Sequence, residues 1–297
     1  MPANLLLKFL FVFVLAACDT GPAGDDATSD ERERKVAAWL QEIASIPVAN
    51  SDKRPIERYY EVLPVAQSGD RDAQYELYRL YRFCNADPGL GLTLFYKARG
   101  ISDGDRRMLD VFREQCSDFD PAFDQWDSDY AAVKHSQAVA LAQKHPIAIA
   151  EASLTAYRRA TKARDEQPSV LERQPPEPEV SLDEVYAALA HAAKHPNLME
   201  AGVEQAYLYF RFLRAEEYMR AYGYDRSAGR FKRGPLREAW SILGCHYTPT
   251  CFEEFHLRGM RRYYTDAEID ETVKTVVRLY EAIMAGDWKS LGLEGAA

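Results

Sequence analysis

Three stretches decide how this chain folds: AQSGDRDAQYELYRLY (Ala66–Tyr81), AQKHPIAIAEASLTAY (Ala142–Tyr157) and AAKHPNLMEAGVEQAY (Ala192–Tyr207). They align without a gap, each opening on Ala and closing on Tyr. The second and third also share Lys-His-Pro, at 144–146 and 194–196. Pro146 and Pro196 suit the first position of a helix, where the missing N–H is no loss. Each window therefore reads as a helix end, a tight turn and a new helix. The small Ala allows the second helix to come close, and the final Tyr plugs between neighbouring hairpins. A lone helical hairpin leaves one apolar face uncovered, so such units must stack. The expectation is an all-α chain of stacked helical hairpins.

The first window resembles the Sel1-like repeat, a relative of the tetratricopeptide repeat, with the pattern Ala-x-x-Gly-x-x-x-Ala-x-x-x-Leu-Gly-x-x-Tyr. The matching positions are Ala66, Gly69, Ala73, Leu77 and Tyr81. Tyr78 stands where the family has its second Gly, which keeps packed helices further apart. The later windows retain the Ala and the Tyr without the Gly. The likeness is specific over residues 66–81, weaker over 57–83 and only suggestive over 129–222; residues 225–297 match no pattern. It implies an α-solenoid that binds other proteins rather than catalysing a reaction.

Outside the windows, helical periodicity dominates and no alternating strand stands out. Ile269, Val273, Val276, Val277, Tyr280, Ile283 and Met284 repeat at three- and four-residue steps. Thr265 and Glu268 precede that stripe as a capping box, and Gly286 follows as a stop. Ser181 with Glu184 caps a second helix start. Pro168, Pro175, Pro176 and Pro178 forbid helix between them. The organisation expected is a helical block over 35–164, a Pro-rich connection over 165–180 and a second helical block over 181–297. The connection is either a domain boundary or a long loop within one array.

The chain has 297 residues, 47% hydrophobic and 28% charged, with 37 Lys and Arg against 46 Asp and Glu, a net charge of −9. Such an acidic chain disfavours nucleic acid and anionic lipid surfaces as partners. Residues 1–17 carry one cation, Lys8, then the apolar run FLFVFVLAA, too short for the roughly 20 residues of a membrane-spanning helix. They read as a secretory signal peptide. Leu15-Ala16-Ala17-Cys18 resembles the lipobox of bacterial lipoproteins, which implies cleavage before Cys18 and acylation of it. Asp19 resembles an inner-membrane retention signal, favouring that membrane, with the protein facing the periplasm. Residues 18–34 lack large apolar groups and read as a disordered tether.

Setting Cys18 aside leaves Cys84, Cys116, Cys245 and Cys251. An even number in an exported chain favours two disulfides, for which three connectivities exist. The local pairs Cys84–Cys116 and Cys245–Cys251 are preferred. The first would close the insertion Asn85–Gln115, worth about 3–4 kcal/mol in the chain-entropy account. A metal held by Cys245 and Cys251 with His246 and His256 is disfavoured, because the spacing is not that of a zinc knuckle.

His191 and His195 lie four apart on one helix, a spacing that can grip a metal, but no general-base Glu lies between them. His195 shares its repeat position with His145, which assigns it a place in a turn. No metal, cofactor or catalytic residue is therefore expected. Tyr207, Tyr209, Phe210, Phe212, Tyr218, Tyr222 and Tyr224 form an aromatic block. Tyr209, Tyr218 and Tyr222 are candidate protein-binding residues, because exposed Tyr supplies rigid anchor area. Phe212 reads as core. The basic run Arg226, Arg230, Lys232, Arg233 and Arg237 reads as a solvated loop.

The function expected is a periplasmic adaptor or scaffold, membrane-anchored through Cys18 and bound to an unidentified protein. A narrower alternative is likeness to periplasmic immunity proteins, which neutralise toxins delivered by type VI secretion. A third is an envelope hydrolase using His246 or His256 with Glu253.

Overall fold

Each of the three windows folds as a helix, a turn and a second helix, by three different backbone routes. The computed structural model describes residues 29–49, 53–85, 103–116, 138–166, 180–214, 224–225, 230–231, 235–248, 251, 253–261 and 263–293. In the first window α2 (Pro55–Gln67) passes to α3 (Arg71–Asn85) through Gly69, whose φ of +98° is left-handed and suits a residue without Cβ. The Asp70 carboxylate then accepts the Ala73 N–H at 2.8 Å and caps α3. In the second, helical residues 138–142 turn through Lys144, φ +56°, into α5 (Pro146–Glu166). In the third, α6 (Leu182–Lys194) ends at His195 and Pro196 opens a 3-10 turn that leads into α7 (Met199–Tyr209). The Gly of the first window is thus a property of one turn, not of the layout. Ala66 and Ala192 are buried at the helix junctions, but Ala142 is exposed and the buried residue there is Ala140. Tyr81 is buried, while Tyr157 and Tyr207 are half-buried.

The remaining helices are α1 (Ser29–Ile43), α4 (Asp103–Cys116), α8 (Pro235–Tyr247), α9 (Glu253–Met260) and α10 (Asp266–Ala285). The described residues are all-α apart from a two-residue antiparallel ladder that pairs Tyr224 with Phe231 and Asp225 with Arg230. No helix among them is long and apolar enough to cross a membrane. One core, with Trp39, Ile147, Leu189, Val203, Trp240 and Ile269 among its buried members, runs through α1, α5, α6, α7, α8 and α10. Residues on both sides of the Pro-rich connection share it. The four prolines themselves lie outside the described residues.

The start of the chain departs from expectation. Residues 29–34, read as part of a tether, form the first turns of α1, and 18–28 lie outside the described residues. Asp30 and Glu31 in the first turn suit the helix dipole. Val36, Trp39 and Ile43 then bury one face of α1 against α10 and α9. Lys35 reaches Asp266 at 2.7 Å, the Trp39 indole N–H donates to Asp270, and Arg258 grips Glu33. Polar composition therefore did not prevent folding, because the anchoring residues lie just downstream.

Both local disulfides are present, Cys84–Cys116 joining the ends of α3 and α4, and Cys245–Cys251 tying the last turn of α8 to the segment after it. Neither C-terminal cysteine is available as a thiolate ligand. Thr265 and Glu268 form the expected capping box, and Gly286 ends α10 at φ +69°. Ser181 caps α6 through the Asp183 N–H rather than through a reciprocal box with Glu184. On α10, Ile269, Val273, Val276, Leu279 and Ile283 are buried, and Met284 at the end of the expected stripe is 46% exposed.

Gly202 lets α7 lie against α6: a Cβ there would meet the Ala192 Cβ at 2.5 Å. Gly202→Ala should lower stability by about 1–3 kcal/mol despite its better helix propensity. Ala192→Gly in the same chain should recover part of that loss. Thermal melts of the two variants check this, and an unchanged Tm for the single variant would contradict close packing here.

Candidate functional site

Helix α3 presents two different faces. Ala73 and Leu77 pack with Val62 and Ala66 of α2 in a small apolar cluster. Asp72, Tyr75, Arg79 and Arg82, at three- and four-residue steps, face the rest of the molecule instead. Glu151 of α5 receives this face. The Tyr75 hydroxyl donates to its Oε2 at 2.8 Å, the Tyr78 hydroxyl to Oε1 at 3.2 Å, and Arg82 bonds the same Oε1. Tyr75 is fully buried and Glu151 nearly so. Burial pushes the Tyr75 hydroxyl well up, so it remains a donor. Arg79 bonds Glu204 and lies 3.6 Å from Glu200, both on α7. Burial opposes the Arg79 charge, but Glu204 and Glu200 outweigh it and raise its pKa.

At the head of α3 the three turns converge on one carboxylate. The His191 Nε2 lies 3.1 Å and the His145 Nε2 3.4 Å from Asp72 Oδ1, while the His195 Nδ1 lies 3.5 Å from Oδ2. His145 stacks on Tyr75 at 4.5 Å and meets His191 edge-on; His191 stacks on His195 at 4.4 Å. Burial, then the neighbouring His191, depresses His145 to about 4 against the weaker pull of Asp72. Burial likewise lowers His191. Both rings are neutral at pH 7, the form that can ligate a metal. The ligand atoms of Asp72, His145 and His191 all lie within 4.8 Å of one another.

Two clefts open beside this cluster. One, about 480 Å³, lies between α2, the head of α3 and residues Lys194–Leu198. The other, about 540 Å³, continues between α3, α7 and α8 as far as Cys251 and His256. Glu76, Asn197 and Leu198 line both, so the two clefts adjoin and are together called the groove.

The candidates from the sequence fare unevenly. Tyr209, expected to face outward, is buried at 5% exposure, because α7 is apolar on most sides and lies at the centre of the core. Phe212, expected in the core, is half-buried, with Arg158 and Arg211 over its ring. Tyr218, Tyr222 and Cys18 lie outside the described residues, as does most of the basic run. His246 pairs with Glu253 through Nδ1 at 2.8 Å, and its Nε2 meets the Ile46 carbonyl at 2.9 Å. With both nitrogens engaged, the ring clasps α8 to the end of α1. His256 pairs with Glu238, not with Glu253. The sequence reading missed the assembly around Asp72. Its signal was present: His145 and His195 at one repeat position, and Asp72 just past the equivalent turn of the first window.

Glu151→Leu removes the acceptor of the buried Tyr75 hydroxyl, whereas half-exposed Arg82 can turn to water. The expected loss is about 1–3 kcal/mol, accompanied by faster amide exchange confined to α2 and α3. Global loosening would refute a role for this seam confined to the attachment of α2 and α3. Between pH 7 and 5 the unfolded chain protonates His145 at its ordinary 6.5, while the folded chain resists to about 4. Stability is therefore full above pH 6.5 and falls below it, by about 2 kcal/mol at pH 5. Urea titrations with chelator present should show a flatter profile for His145→Gln, and parallel profiles would contradict the assignment. No known protein family, curated protein or solved structure matches the chain, so the reading of this site rests on its own geometry.

Proposed function

We propose that the protein is a lipid-anchored adaptor of the bacterial envelope, built from Sel1-like helical hairpins, that holds a protein partner in the groove beside α3. The observation that carries this reading is the meeting of the three turns. Asp72, His145 and His195 come from separate windows, yet both histidines lie within 3.5 Å of Asp72. Stacked repeats bring equivalent turns side by side in this way. The groove has the chemistry to hold a peptide segment. Arg58, Lys194, Glu61 and Glu76 line it with both signs of charge, and Val65, 48% exposed, adds an apolar foothold. The N-terminal apolar run ending at Cys18 supports export and acylation, which would keep the groove near the periplasmic face of a membrane.

A photo-crosslinking residue at Asn197, which lines both clefts, tests this in cells producing the full chain. One discrete protein adduct is expected from Asn197 and none from exposed Ala37 on α1. The protein should fractionate with membranes, and Cys18→Ser should release it. Equal adducts at both positions would defeat the groove, and membrane retention of Cys18→Ser would defeat the anchor.

A further inference from the structure

We propose that Asp72, His145 and His191 form a binding site for one divalent transition-metal ion, with zinc the best fit, that braces the three hairpin turns. A tetrahedral ion with bonds of about 2.0–2.1 Å needs donor atoms about 3.3 Å apart. The two pairs involving Asp72 Oδ1 stand at 3.1 Å to His191 Nε2 and 3.4 Å to His145 Nε2. The third pair lies within 4.8 Å. Two edges of the triangle already match an ion, and the two imidazoles close the third by moving toward each other.

A second observation points to a ligand. The His145 side chain is fully buried, and its Nε2, aimed at Asp72, has no hydrogen-bond partner among the described residues. A buried ring nitrogen whose nearest acceptor, Asp72 Oδ1 at 3.4 Å, makes no hydrogen bond with it calls for an explanation. A metal ion supplies one. His195 stacks on His191 just past the end of α6 and borders the groove, with its Nδ1 3.5 Å from the other carboxylate oxygen, Asp72 Oδ2, so the fourth position is left to a water. Two imidazoles and one carboxylate suit zinc, cobalt, nickel or copper rather than magnesium or calcium, which prefer oxygen.

Two groups must yield. The Ala148 N–H approaches the His145 Nδ1 at 3.4 Å; ligation through Nε2 moves the ring proton to Nδ1 and gives up this long contact. The Arg71 Nε lies 3.4 Å from Asp72 Oδ1 on a side chain 44% exposed, which can swing into water. An ion so held would tie the head of α3 to the turn before α5 and the end of α6.

Zinc chloride titrated calorimetrically into the full chain, purified in detergent and stripped with chelator, tests the site. One ion per chain is expected, with a dissociation constant below micromolar and a higher Tm. Asp72→Asn and His191→Gln should each weaken binding at least tenfold, and His256→Gln, on the far side of the groove, should not. Cobalt chloride with the unaltered protein should give the intense visible bands of a four-coordinate ion, a readout that does not depend on any variant folding. Absence of saturable zinc binding, pale six-coordinate cobalt spectra, or equal affinity in Asp72→Asn and His191→Gln would overturn the proposal.

Discussion

A single buried carboxylate governs how the first hairpin meets the rest of the molecule. Glu151 lies in a core of helix-on-helix contacts, where an unpaired charge would be prohibitive. Tyr75, Tyr78 and Arg82 all donate to it, and all three come from α3. The hairpin of α2 and α3 hides little apolar surface by itself, with Val62, Ala66, Ala73 and Leu77 as its cluster and the Cys84–Cys116 bridge at its far end. Directional donors, not apolar area alone, therefore set the rotation of α3. That rotation then places Asp72 against the histidines and Arg79 against α7, and it leaves the groove open alongside.

The opposite end of the molecule is closed by a different balance. Helix α1 is bound to α9 and α10 by the ion pairs Arg258–Glu33 and Lys35–Asp266, but these are largely exposed and contribute little each. Trp39 and Ile43, 3% and 1% exposed, carry the attachment, each worth about 1.5–3 kcal/mol of burial. His246 adds a directional clasp by linking Glu253 to the Ile46 carbonyl. The first helix thereby meets the last long one, and a chain proposed to begin at a lipid anchor would emerge beside α9 and α10.

Anchor, groove and histidine cluster form one proposed picture. A tethered adaptor needs a rigid surface, and a groove walled by separate hairpins is only as rigid as the contacts between them. The junction at Asp72 lies at the mouth of that groove, so whatever fixes the junction also fixes the shape offered to a partner. Lys194 and His195 belong to the groove lining and the cluster's own helix end alike. The two proposals remain separable, since metal binding can be measured with no partner present.

Local features were readable from residue order because they depend on neighbours a few positions away. The helix–turn–helix windows, the capping box at Thr265, the stop at Gly286 and the Cys245–Cys251 pair all belong to this class, and the Cys84–Cys116 pair followed from preferring the shorter of the possible loops. The inward placement of Tyr209, the exposure of Ala142 and the folding of residues 29–34 did not, because each depends on what packs against it from elsewhere in the chain. The candidate site shows the same division most sharply. The repeat position of His145 and His195 is a one-dimensional fact, whereas their approach to Asp72, across gaps of dozens of residues, arises only when long-range packing stacks one turn upon another.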